Sequence, residues 1–99
     1  MSYRLRYSQE ALEDIERLYS YLIEKGDLKL ADRAYRAILR GADVLREFPF
    51  SCRKAQPGNA LLRELLIPFG AAGYVALFEI EDGAVTILAL RHQREDDYH

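Results

Sequence analysis

Cysteine occurs once in this 99-residue chain, at Cys52. No internal disulfide can form, a usage that suits a reducing cytosol. The opening "MSYRLRYS" lacks the apolar stretch of a signal peptide, and no apolar run approaches the roughly 20 residues a membrane helix needs. A cytoplasmic protein with no membrane partner is the expectation. Glycine-rich phosphate loops are missing, and no serine sits in a nucleophile elbow. His92 and His99 stand seven apart, with Cys52 distant from both, so no metal-ligand spacing is present. Neither a metal nor a cofactor is expected. Excess charge is also lacking: 14 bases against 16 acids leave −2. That balance excludes bulk attraction to nucleic acid as the main activity, and no direct sequence-specific nucleic-acid binding is expected.

The composition that remains is globular. Hydrophobic residues make up 49% and charged residues 30%, and the length suits one domain over residues 1–99 with one modest core. Charge is unevenly spread. Eleven of the fourteen bases are arginine, the side chain suited to planar contacts with carboxylate or phosphate. Acids crowd Gln9 to Glu24, as Glu10, Glu13, Asp14, Glu16 and Glu24 against Arg17 alone. The next stretch reverses the sign with Lys29, Arg33, Arg36, Arg40 and Arg46. The plainer reading of both is a solvated helix face.

Periodicity divides the chain. "YRLRY" alternates, with Tyr3, Leu5 and Tyr7 on one face, and reads as a half-buried strand. Ser8 offers an N-cap hydroxyl. Leu12, Ile15, Tyr19, Leu22 and Ile23 draw the apolar stripe of a first helix, stopped by Gly26. Asp27 caps a second, whose stripe is Ala31, Ala34, Tyr35, Ile38, Ala42 and Leu45 and which Pro49 ends. The short link makes the helices an antiparallel hairpin, stripes facing each other and a sheet. "SCRKAQPGN" reads as a loop. Strands are expected at Leu61–Ile67, stopped by Pro68, at Tyr74–Ile80 and at Ala84–Leu90. Asp82-Gly83 marks a tight hairpin between the last two. The last strand, apolar on both faces, belongs in the middle of the sheet with cover on both sides, or has one face in a partner's interface. The fold class is α+β, in the order β-α-α-β-β-β, a helical hairpin on a small, mostly antiparallel sheet.

Polar residues gather where the last strand ends, in "RHQREDDYH". Alternation puts Val85, Ile87, Ala89 and Arg91 on one face and Leu88, Leu90 and His92 on the other. Arg63 and Glu64 interrupt an apolar neighbouring strand and point to opposite faces, where ion pairs with tail or helix charges are the plain reading. His92 reads most simply as a hydrogen-bonded histidine at the sheet end, Tyr98 as a packed ring with a bonded hydroxyl, Asp96 and Asp97 as solvated or paired with arginine, and Cys52 as inert. Arg53 and Lys54 are loop bases. A sharper alternative uses these parts together. Metal-free RNA cleavage needs a base, an acid and cations on the phosphate. His92, Tyr98, Arg94 and Arg63, with Arg91 and Lys54, supply those types if tail and loop converge.

The order of elements, with "LRELLIPFGAAGYVALFEIEDGAVTILALRHQREDDY" at the end, resembles the ParE branch of the RelE/ParE toxin superfamily over nearly the whole chain. The most specific matches are Arg63-Glu64-Leu65 through Pro68-Phe69-Gly70, the Gly73-Tyr74 strand start and Arg91-His92-Gln93-Arg94-Glu95. Arg53 agrees with the pattern while Cys52 departs from it. The resemblance implies a chromosomal or plasmid toxin held silent by a ParD-like antitoxin. ParE-type members act on DNA gyrase, on DNA, by stabilising its cleaved-DNA intermediate. RelE-type members cut mRNA on the ribosome, often with a tyrosine or histidine near the C-terminus. Gly70, Ala71 and Ala72 supply no cation where ribonuclease members often carry an arginine. On this footing the target-binding set is Arg91, His92, Arg94, Tyr98 and Arg53, acting as a grip without catalysis. The alternatives are a ribosome-dependent endoribonuclease using His92, Tyr98, Arg94 and Arg63, and a relative that binds antitoxin but poisons nothing.

Overall fold

The structure, a computed structural model, describes residues 2–95 and 98. Five strands form one sheet in the order β1-β5-β4-β3-β2. These are β1 (Arg4–Tyr7), β2 (Arg53–Lys54), β3 (Leu62–Phe69), β4 (Ala72–Glu81) and β5 (Ala84–His92). Helices α1 (Gln9–Glu24) and α2 (Leu28–Asp43) form the expected hairpin and cover one face of the sheet. The fold is α+β. The β1–β5 pair is parallel and the other three pairs are antiparallel.

The core lies between helices and sheet. Ala11, Ile15 and Leu18 of α1, with Ala34, Ile38 and Ala42 of α2, pack on Ile67, Tyr74, Ala76, Phe78, Ile80, Val85, Ile87 and Leu90. The α1 stripe is therefore centred one position earlier than the sequence suggests. Leu12, Ile23 and, on α2, Tyr35 stay exposed at 49%, 41% and 42%. Leu12 and Tyr35 border a groove along the hairpin rather than the core. No helix among the described residues is long and apolar enough to cross a membrane.

Element ends differ from expectation for identifiable reasons. α2 stops at Asp43 and continues only as a 3₁₀ turn, Val44–Arg46, before Pro49 is reached. The loop holds a short strand, β2, paired with Arg63 and Glu64. Pro68 does not stop β3. Ile80 N–H donates to Leu61 O, so odd-numbered β3 residues bond to β4 and Pro68 faces the free edge, where its missing N–H costs nothing. Gly73 opposite it is obligatory, since a Cβ there would collide with the Ile67 carbonyl. The Asp82-Gly83 hairpin forms as read, with Gly83 at φ 72°.

Strand β5 sits between β1 and β4 only as far as Ile87, where β1 ends. Beyond that point its outer edge is closed by side chains. Ser8 Oγ donates to Leu88 O at 3.0 Å while accepting from Ala11 N–H as the α1 cap. The buried Asp14 carboxylate accepts from Leu90 N–H at 2.9 Å. Arg17 reaches Leu90 O at 3.4 Å, and Glu95 Oε1 accepts from His92 N–H at 2.9 Å. Each carbonyl or amide that a further strand would have paired thus has a partner. Asp14→Ala strips the buried Leu90 amide of its acceptor. A loss of about 1–3 kcal/mol in unfolding free energy is expected, measured by urea denaturation against wild type.

Candidate functional site

Leu88 is an extra residue in β5. Leu77 pairs with Ala89 and Phe78 with Ile87, so a bulge lies between them. The bulge reverses the alternation beyond it. Leu90 and His92 join Val85 and Ile87 on the helix side, opposite Ala76 and Tyr74. Ala89 and Arg91 lie opposite Leu77 and Val75 on the open side. The sequence-based grouping of Val85 and Ile87 with Ala89 and Arg91 is corrected accordingly. It assumed unbroken period-two alternation through an apolar run that gives no sign of a bulge.

Glu64 is the hub of the open face. Its Oε1 accepts from Arg53 Nε at 3.1 Å, and its Oε2 accepts from the Tyr98 hydroxyl at 2.6 Å. The Tyr98 ring lies against the Arg91 guanidinium, 5.0 Å from the ring centroid. Arg91 is half-buried and donates to Glu95 O at 2.7 Å, with longer contacts to His92 O and Gln93 O at 3.4 Å. Its buried Nε has no acceptor among the described residues. Burial, and then the bond to Glu64 beside that carboxylate, push the Tyr98 phenol well above its ordinary value. It stays protonated across physiological pH.

His92 sits on the opposite face, its ring edge-on to Tyr74 at 5.6 Å. Its Nδ1 accepts from Arg94 N–H at 3.1 Å. Arg91 and His92 are thus not the freely exposed donors the tail suggests. Both are half-buried and hold a turn together. Arg94 differs: its side chain is exposed and has no partner among the described residues. Arg63 is occupied elsewhere, donating to Ala60 O at 2.8 Å, Cys52 O at 2.7 Å and Phe50 O at 3.1 Å. It lies four residues along β3 from Ile67, the partner of Tyr74, about 13 Å from the His92 rung at strand rise. Of the residues singled out in the sequence, Arg53 and Tyr98 meet at Glu64 on the open face, and Arg91 joins them through the Tyr98 ring. His92, Arg63 and Tyr98 do not meet. Lys54 is exposed on β2, and burial raises the half-buried Cys52 thiol, which disfavours the reactive thiolate. Asp96, Asp97 and His99 lie outside the described residues.

Sequence reasoning missed a second feature, a groove of about 580 Å³ along the helical hairpin. Tyr7, Leu12, Ile15, Tyr19, Tyr35 and Leu39 line its apolar floor and walls, and Glu16 and Asp32 its rim. The Tyr19 hydroxyl donates to Asp32 at 2.9 Å, and the Tyr19 ring meets Tyr35 edge-on at 6.2 Å. The clue in the sequence was a stripe too wide for one sheet-facing surface, because Ala11 and Leu18 are apolar beside the residues assigned to it.

The turn after β5 is held by charge. Burial raises the Glu95 carboxyl, but the His92 amide and the Arg17 guanidinium outweigh it and leave the pKa below the ordinary carboxylate value. A lowered native pKa means stability present above the unfolded value and lost as pH falls through the native one. Arg17→Gln should move the Glu95 titration upward in carbon-detected NMR. An unchanged midpoint would remove Arg17 from the brace.

Comparison with known proteins agrees with this geometry. The family of ParE toxins of type II toxin–antitoxin systems (parDE) matches over residues 5–97. Toxin RelE3 of Caulobacter vibrioides is 35% identical over 86 residues, covering 86% of this chain and 88% of that protein. Among solved structures, a chain of the chromosomal ParDE system of P. aeruginosa superposes with a TM-score of 0.76 at 15% identity, covering 92% of this chain and 96% of its own. A chain of the RelBE2 toxin–antitoxin complex of Mycobacterium tuberculosis gives 0.68 at 19% identity, covering 96% and 95%. At such identities the superpositions establish the fold, while the family match over most of the length establishes kinship. The chain belongs to the ParE toxin family of type II toxin–antitoxin systems, within the RelE/ParE superfamily.

Proposed function

We propose that this toxin acts by stabilising the cleaved-DNA complex of DNA gyrase, without turnover of its own. The observation that carries this reading is the dispersal of the residues that RNA cleavage would need. His92 lies on the helix side and Tyr98 on the open side. Arg63 is committed to three backbone carbonyls. The Tyr98 phenol is held protonated against Glu64. A general base must reach the proton it removes, and this arrangement gathers no such set. The grip on the target falls instead to Arg94, projecting from the braced turn, with Arg53 and Lys54 at the β2 edge. Arg91, His92 and Tyr98 hold that surface in shape.

A ParD-like antitoxin would silence it through the hairpin groove. Apolar residues of an amphipathic segment fit between Leu12, Tyr19, Tyr35 and Leu39. Solved relatives of the same fold come from toxin–antitoxin complexes. The β3 edge past β2, where Leu66 is 47% exposed, leaves room for an added strand as far as Pro68.

The ribonuclease reading keeps one point in its favour, the RelE name of the 35% identical Caulobacter toxin. Two assays divide the readings. Purified protein with gyrase and supercoiled plasmid should accumulate trapped linear DNA, and programmed ribosomes should show no new mRNA cuts. His92→Ala keeps the main-chain N–H that Glu95 accepts and removes only the Nδ1 acceptor of the Arg94 amide, so killing should stay largely intact. Under the ribonuclease reading the same change costs roughly 10²–10⁴-fold in cleavage.

A further inference from the structure

Helix α2 carries an unpartnered row of cations. Lys29, Arg33, Arg36 and Arg40 recur at spacings of four, three and four and are all exposed. At 3.6 residues per turn they fall on one narrow strip opposite Ala31, Ala34, Ile38 and Ala42, facing straight away from the core. None of the four has an ion pair or hydrogen bond among the described residues. By contrast Arg6, Arg17, Arg46 and Arg53 each pair with a carboxylate. The acids of α2 are engaged elsewhere, Asp32 by the Tyr19 hydroxyl and Asp43 by Arg46. In a chain of net charge −2, four free positive charges in a row are a local concentration rather than a by-product of a basic protein.

The geometry points to the phosphate backbone of duplex DNA as the partner of this strip, held without reading of bases. The strip spans about 16 Å at 1.5 Å per residue. A duplex carries one charge per about 1.7 Å of axis, so roughly nine phosphates face that length. An acidic protein segment fits less well. The exposed Tyr35 of α2 lines the groove and not the strip, so the strip offers no apolar pocket. Exposed ion pairs without a pocket contribute little. A polyanion needs none, because release of its condensed counterions supplies the free energy. The strip is separate from both the hairpin groove and the Arg94 turn.

The test is fluorescence anisotropy of the full chain with labelled duplexes of two unrelated sequences, across a salt series and without gyrase. Both duplexes should bind alike, with a slope of log affinity against log salt of about −3.6, as four phosphate contacts give. Arg33→Gln/Arg40→Gln should bring the slope to about −1.8. Arg4→Gln/Arg6→Gln, with the same change in net charge on β1, should leave it unaltered. Absence of binding at low salt, or equal loss in both double variants, overturns the proposal. Polyglutamate displacing the DNA at lower charge concentration also overturns it, in favour of a protein partner. Because gyrase is absent, this result and the fate of the gyrase reading are independent.

Discussion

The buried carboxylate of Asp14 accepting the Leu90 amide is the constraint on which the rest of the molecule depends. Strand β5 outruns β1 by five residues, from Leu88 to His92, and an open edge there would expose backbone groups to any passing strand. Helix α1 solves this with its own side chains, Ser8, Asp14 and Arg17, and the turn adds Glu95. The same contacts dock α1 on the sheet, set where β5 ends and fix the turn that presents Arg94. A buried acid is costly unless satisfied. Here the cost is offset by a charge-assisted bond in the place where a β-bulge and a missing neighbour strand would otherwise leave an amide unpaired.

The two faces of the sheet do different work. The helix side is a conventional apolar core, and His92 completes its end by standing edge-on to Tyr74. The open side has no helices. A polar hub covers part of it, with Arg53, Tyr98 and Arg91 arranged around Glu64. On the same side Val75, opposite Arg91, and Ala89, opposite Leu77, are buried. The polar residues of the tail, read in sequence as one cluster, divide between the two faces and leave the Arg94 side chain exposed. The face of the molecule that remains adaptable is the hairpin groove, whose exposed Leu12 and Tyr35 are the kind of surface that partners cover.

Much of this was legible in the residues. Ser8 and Asp27 cap the helices as their side chains predict, the Asp82-Gly83 hairpin forms where it was read, and the element order is as expected apart from the short β2 in the loop. Glu64 does form an ion pair, but with Arg53 of the loop rather than with the tail or helix charges expected, and Arg63 takes backbone carbonyls instead. Two things were not legible. The Leu88 bulge sits in "AVTILAL", where every residue is apolar and none marks a break, so alternation carried past it gave the wrong faces to Ala89, Arg91, Leu90 and His92. The role of Asp14 was hidden because an acid among acids on α1 looks solvated. Only the depth of the helix against the sheet reveals that it alone is buried.

On the proposed reading the C-terminal turn is a braced contact surface and not a cleavage site. The most direct measurement compares trapped gyrase–DNA cleavage for purified Arg94→Ala and His92→Ala, each checked for native fold by circular dichroism. Arg94→Ala should lose most of the trapped DNA while His92→Ala retains most of it. Full trapping by Arg94→Ala together with loss in His92→Ala would contradict that reading.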